Sequence, residues 1–186
     1  RPVAGSRAAD LRKRLLRIAR ARKEDFQFTL SRYGVERLLY RLSTSRFQDA
    51  FVLKGAMLVA TWMAVPYRAT RDLDLLGKDN PGPERLAAIF REVVMLDGGD
   101  DAIAFDPDSI RSEEIREGEQ YGGVRVRIAG DFGGAAIPIQ IDVAFGDAVE
   151  PQPEWIDYPT LVGLPAPRVR GYGTYNVVAE KLEAMV

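Results

Sequence analysis

The run from Phe51 to Leu76, FVLKGAMLVATWMAVPYRATRDLDLL, constrains this chain more than any other part of it. Ala50 to Leu53 is continuously apolar, as a strand covered on both faces requires, and Lys54-Gly55 ends it. Ala56 to Ala64 is almost wholly apolar and predicts a buried helix, which Pro66 stops. Arg68, Thr70 and Arg71 then lead into a second strand, Asp72-Leu73-Asp74-Leu75. A strand that runs through a Gly turn into a helix start presents unbonded backbone N–H groups to a phosphate. The G-x-x-x-x-G-K-[ST] spacing of a P-loop is absent, so Lys54-Gly55 taken alone reads better as a plain strand-to-helix turn.

The acids carry more information. In a strand, Leu73 and Leu75 face one side and Asp72 and Asp74 the other, with the acids' Cα atoms about 6.7 Å apart. Two carboxylates brought to about 4 Å repel by about 4 kcal/mol at an effective dielectric near 20, so a dry shared site requires a cation. Mg²⁺, or Mn²⁺ in its place, suits carboxylates and substrate phosphates. The plainer alternative is a solubilising Asp-x-Asp on a wet sheet edge. Acidic residues disfavour strands, and their position beside a phosphate-type turn favours the functional reading.

A second strand agrees with the first. Ile137, Ile139, Ile141, Val143 and Phe145 share one parity, while Pro138, Gln140, Asp142 and Ala144 share the other. Asp142 therefore points away from the core, and if this strand lies beside Asp72-Asp74 all three acids share one open face. Three carboxylates on neighbouring strands suit a two-metal site that clamps the attacking and leaving oxygens of phosphoryl transfer. Val124 to Ile128 alternates in the same way and predicts an antiparallel hairpin with this strand across Gly130 to Gly134. Arg125 and Arg127 then face the acids' side, either to assist a triphosphate or RNA backbone or to balance the acids.

Composition removes other chemistries. The chain has 186 residues, 46% of them hydrophobic, with no Cys and no His. This predicts a full core and excludes disulfides, Cys/His zinc sites, Cys nucleophiles and His-based triads. No apolar run reaches the roughly 18 residues of a membrane span, and no signal-peptide pattern opens the chain, so no membrane association and a cytoplasmic location are expected. The chain starts without Met and stops at Val186 within a helical pattern, which predicts a fragment.

Charge is segregated along the chain. Residues 1–46 hold 13 Lys/Arg against 4 Asp/Glu, and the remainder 13 against 23. A basic arm favours polyanions such as nucleic acid, or merely neutralises an acidic body. Two amphipathic helices are expected here. The first is capped by Ser6 or Asp10 and carries Leu11, Leu15 and Ile18; the second spans about Asp25 to Leu42, with Arg32, Arg37, Arg41 and Arg46 extending the basic surface. Further on, Pro83 to Met95 predicts a helix, Asp97 to Asp108 a solvated acidic loop, Ser109 to Glu117 an irregular strand, and Pro151 to Pro167 a surface connection. A last helix begins near Thr174 or Asn176, with Lys181 beside its apolar stripe.

FVLKGAMLVATWM, RATRDLDLL, IQIDVAFG and YNVVAEKLEAM, in this order, resemble the nucleotidyltransferase toxins of the AbiEii/AbiGii family, the MenT-type toxins among them, over roughly Phe51 to Met185. The resemblance implies an α/β (α+β) fold of the DNA polymerase β-like nucleotidyltransferase type, a small mixed sheet flanked by helices. With the charge pattern, the chain is expected to divide into basic N-terminal helices packed on the core over 1–46, a nucleotidyltransferase core over 47–172 and the start of a C-terminal helical region, cut short, over 173–186. The resemblance also implies transfer of a nucleoside monophosphate from an NTP onto the 3′ acceptor end of tRNA and a winged-helix AbiEi-like antitoxin as partner; the basic helices are then expected to hold the tRNA. Thr70, Asp72 and Asp74 match the active-site hydroxyl and acids, Lys181 matches the lysine of the E-K helix, and Asp142 matches the third strand acid of the wider superfamily. Asp72, Asp74 and Asp142 are then the expected metal ligands, and Lys54, Gly55, Ala56 and Arg71 the nucleotide contacts. Gly55-Ala56 stands where many relatives have Gly-Ser, which leaves only backbone N–H groups for the triphosphate. The family's downstream acidic motif lies past Val186. A small-molecule or protein acceptor, or a binding module without turnover, are the competing readings.

Overall fold

Strand alternation organises the sheet. The computed structural model describes residues 4–59, 72–117, 121–146 and 152–172. In chain order its elements are α1 (Ala4–Arg22), α2 (Phe26–Ser43), β1 (Phe51–Leu53), α3 (Gly55–Val59), β2 (Asp72–Gly77), α4 (Pro83–Val94), β3 (Ala104–Glu117), β4 (Tyr121–Phe132), β5 (Ala135–Phe145), β6 (Glu154–Asp157) and β7 (Arg168–Gly171). The strands form one seven-stranded mixed sheet in the order β3-β4-β5-β2-β1-β7-β6. β2 is therefore central, parallel to β5 and antiparallel to β1. The wet-edge reading of Asp72-Asp74 fails for this reason: strands flank β2 on both sides.

One face of the sheet is apolar because every second residue is. Ile137, Ile139, Ile141 and Val143 on β5, Val124, Val126 and Ile128 on β4, and Leu73 and Leu75 on β2 are all buried. The helices cover this face. On α4, Leu86, Ile89, Phe90 and Val93 repeat at helical spacing and are buried, with the Phe90 ring 5.8 Å from that of Phe51. On α2, Gly34 permits a close approach to β5: a Cβ there would lie 2.5 Å from Ile137 Cγ2. This accounts for a Gly inside a helix, where it costs about 1 kcal/mol relative to Ala. Asp25 caps α2 by accepting from the N–H groups of Gln27 and Phe28. α1 joins the same core through Leu11 and Leu15.

The irregular strand and the hairpin both form as expected. β3 shifts register between Asp106 and Arg111, and β4 pairs antiparallel with β5 across a turn at Gly133 and Gly134. Other readings of the sequence are corrected. α1 already runs from Ala4, so neither Ser6 nor Asp10 begins it. Arg37 and Arg41 do not extend a basic surface, because both are buried on Asp101, itself 3% exposed in what reads as a solvated loop. Arg41 Nη1 donates to Asp101 Oδ2 at 2.6 Å, and Arg37 Nη2 donates to Gly98 O at 2.9 Å. Helix spacing alone marks these arginines as solvent-facing; only the distant loop supplies the anion and carbonyls that make their burial tolerable.

The Pro-rich connection is likewise more than a surface strap. Its Glu154–Asp157 segment pairs with β7 as β6, and Tyr158 and Val162 are buried. Side chains from the N-terminal helices hold the rest: Arg14 donates to Val162 O, Arg37 to Pro165 O, and Glu36 Oε2 accepts from the Leu161 N–H at 2.8 Å. Burial pushes the Glu36 carboxyl up to about 7, against the hydrogen bond from Leu161 and the positive charge of Arg37.

Candidate active site

The open face of the sheet is set by the same parity that buries the other. Asp72 and Asp74 are half-buried on β2 while Leu73 and Leu75 between and beyond them are buried. Parallel pairing sets Asp72 beside Gln140 and Asp74 beside Asp142, and antiparallel pairing sets Gln140 beside Arg127 and Asp142 beside Arg125. Two rungs of polar side chains thus cross the face, Arg127-Gln140-Asp72 and Arg125-Asp142-Asp74. Neighbours in a rung are about 4.8 Å apart in the pairing direction.

Gly55 closes one side of this site. It has φ +70°, a left-handed conformation, and a Cβ built on it would lie 2.2 Å from Asp74 Oδ2. Both facts demand Gly here, because any side chain would be strained and would collide with the carboxylate. The Lys54 N–H donates to Asp74 O at 3.0 Å, which ties the turn to β2. The start of α3 therefore lies directly against one of the two acids.

Asp142 is on the predicted face, and its partner is an arginine. Arg125 Nε and Nη2 donate to Asp142 Oδ1 and Oδ2, each at 2.8 Å, a two-point fork. Gln140 Nε2 donates to the same Oδ2 at 3.4 Å. The fork raises the Arg125 guanidinium further above its ordinary range; partial desolvation opposes this, and the charges of Asp142, Asp72 and Glu113 add to it. Arg127 pairs with Glu113 at 2.7 Å, both about half exposed. Of the two roles open to these arginines, balancing acids describes the contacts of both. Gln140 was not singled out by its residue type, although its parity with Asp142 signals its place.

Thr70, Arg71 and Lys181 lie outside the described residues, as does the side chain of Ala56. The structure thus brings together Lys54, Gly55, Asp72, Asp74 and Asp142. Among the described residues no group of three acidic side chains is gathered as for a metal ion. No helix among them is long and apolar enough to cross a membrane.

A mixed sheet flanked by helices, with an Asp-x-Asp pair on its central strand beside a glycine turn, has the architecture of the nucleotidyltransferase class. In fold the chain is similar to the crystal structure of JHP933 from Helicobacter pylori, with 14% identity and a TM-score of 0.51, covering 85% of this chain and 57% of that one. It is also similar to the crystal structure of a candidate nucleotidyltransferase from H. pylori, with 16% identity and a TM-score of 0.50, covering 85% of this chain and 59% of the other. The chain spans less than two thirds of the length of either. A family model described as nucleotidyl transferase AbiEii toxin, type IV TA system, matches residues 37–186, and the chain belongs to this family. No curated protein matches it.

Proposed function

We propose that the protein transfers a nucleoside monophosphate from an NTP to a hydroxyl at the 3′ acceptor end of tRNA, as a cytoplasmic toxin restrained by a winged-helix antitoxin of the AbiEi type. The observation that carries this reading is the pair Asp72 and Asp74 on the open face of the central strand, with Gly55 turned against Asp74. Carboxylate oxygens are the donors Mg²⁺ takes, and two of them leave its remaining positions to phosphate oxygens and water. Asp72 and Asp74 fit that role. Mg²⁺ bound there would neutralise charge on the NTP phosphates.

The chain's own residues orient the reaction. Backbone N–H groups at Gly55-Ala56 would face a triphosphate, with Lys54 and Arg71 adding positive charge, and Lys181 is the residue that matches the family's active-site lysine. Thr70 stands two residues before Asp72 as the active-site hydroxyl. An acceptor hydroxyl attacks the α-phosphorus in line, the bond to the β-phosphate oxygen breaks, and pyrophosphate leaves. Arg12, Lys13, Arg17, Arg20, Arg22 and Lys23 are exposed on and just after α1 and supply the phosphate contacts for RNA.

Burial of Arg37 and Arg41 favours keeping a second reading, in which the acceptor is a protein or small-molecule hydroxyl, since it removes two cations from the expected RNA surface. One experiment separates the two. Full-length protein is incubated with each labelled NTP, Mg²⁺, total tRNA and cell extract, beside Asp72→Ala and Lys181→Ala. Label entering tRNA only with the wild type supports the proposal. Label entering protein or a small product supports the second reading, and transfer that survives Asp72→Ala overturns the site.

A further inference from the structure

Asp142 is the third acid of the open face, yet both of its oxygens are engaged by Arg125 in a fork at 2.8 Å. The pair is partly exposed, at 27% for the Arg125 side chain and 20% for that of Asp142. It is not a remote brace. Asp142 is the direct cross-strand neighbour of Asp74, and Gln140 in the adjoining rung is the neighbour of Asp72. A guanidinium has five N–H donors in one plane, and the fork uses Nε and one N–H of Nη2. The Nη1 N–H groups lie outside the fork and share the delocalised charge of a group on which the charge of Asp72 also acts.

The geometry points to a division of labour within this rung: Arg125 binds a phosphate of the NTP, and Asp142 is the residue that positions it, not a ligand of the metal. The assignment rests on the nucleotidyl-transfer reading above. The chemistry favours it on two counts. A carboxylate forked on both oxygens keeps only its outer lone pairs, and the guanidinium charge beside it lowers its attraction for a second cation. A planar guanidinium held in place loses little freedom when it meets a phosphate, which suits it to that oxyanion better than a mobile lysine. Arg127 is a poorer candidate, since its 2.7 Å pairing with Glu113 lies on the side away from β2.

The test uses full-length protein and separates nucleotide from metal. Binding of the four Mg²⁺-NTPs, as analogues that cannot be cleaved between the α- and β-phosphates, is measured by calorimetry, and binding of Mn²⁺ alone by electron paramagnetic resonance. Arg125→Gln, Asp142→Asn and the double variant are each expected to weaken NTP binding by about tenfold, the double no more than either single, with Mn²⁺ affinity unchanged. In turnover the same variants raise KM for the NTP with kcat held within about twofold. Guanidinium ion added to Arg125→Gly restores NTP binding, and Arg125→Lys, which keeps the charge without the fork, recovers it in part. Loss of Mn²⁺ affinity in Asp142→Asn but not in Arg125→Gln overturns the assignment in favour of a metal ligand. NTP affinity equal to wild type in all variants, with only a lower Tm, overturns it in favour of a sheet brace. A wild type that binds none of the four NTPs overturns the transfer reading and this assignment together, whereas wild-type binding that is indifferent to Arg125 overturns this assignment alone.

Discussion

Asp74 on β2 and Asp142 on β5 are paired in register across parallel strands, and Asp142 turns both oxygens to Arg125 on the next strand. Two carboxylates held about 5 Å apart repel by about 3 kcal/mol at an effective dielectric of roughly 20. The guanidinium offsets that repulsion on the Asp142 side. That pairing balances Asp142 alone of the three acids.

Neutralising Asp72 or Asp74 is expected to abolish transfer while the fold persists. Asp72→Asn and Asp74→Asn keep the side-chain volume, and the buried neighbours Leu73 and Leu75 still hold β2 in the core. Circular dichroism and Tm should match the wild type, with label transfer reduced by at least about a hundredfold, the scale on which lost stabilisation of transition-state charge is felt. Transfer retained in both variants would move the site elsewhere.

Gly55→Ala is expected to disable the site locally. Its φ of +70° and the 2.2 Å approach of Asp74 Oδ2 act together, so the new methyl group must displace the carboxylate. Gly82→Ala is the control, since Gly82 has φ +81° with nothing within 4 Å. Both should lose about 1 kcal/mol or more in urea denaturation through backbone strain, and only Gly55→Ala should lose transfer.

Asp101→Ala is expected to destabilise the chain by about 3–5 kcal/mol, because it removes the anion that buried Arg41 and Arg37 share and leaves Arg37 only the 3.7 Å contact with Glu36. The loss should be read by denaturant unfolding, with Arg46→Ala as comparison. Arg46 pairs with Glu92 on the surface, and removing it should cost about 1 kcal/mol or less.

Glu36 gives the pH dependence a definite sign. Its folded pKa of about 7 exceeds the ordinary value of 4.5, so between these values the folded chain binds more protons than the unfolded one. The stability it contributes is fully present below about pH 4.5 and is lost as pH rises through about 7. Glu36→Gln keeps an acceptor for the Leu161 N–H and does not titrate. Its stability relative to the wild type should therefore rise between pH 5 and pH 8, by at most about 3 kcal/mol. A difference that stays constant, or falls, would contradict the buried protonated carboxyl.

Much of the architecture is legible along the chain because a strand repeats every two residues without drift. That rule alone orients Asp72, Asp74 and Asp142 away from the Leu, Ile and Val that become core, and it marks the hairpin of β4 and β5. The turn at Lys54-Gly55 reads correctly as the end of a strand, but not as a contact: that Gly55 touches Asp74 depends on β1 and β2 pairing with Leu53 beside Leu75. Family membership was also legible, through four short motifs in order.

Helix periodicity misled where a charge had a partner far away. Spacing places Arg37 and Arg41 with the other arginines of a basic helix, and nothing in their own neighbourhood distinguishes them from Arg46. Residues 51–76 and 137–145 settle which acids turn away from the core on their own strands, since that follows from local backbone geometry; that the three share one face follows from β2 and β5 being neighbours. Which cation each acid meets follows from strand order and from where loops return. Asp142 meets Arg125 because β4 lies beside β5, and Asp101 meets Arg37 and Arg41 because its loop folds back over α2. Such encounters require long-range closure, whose free energy comes from the whole core and is not written in any one segment.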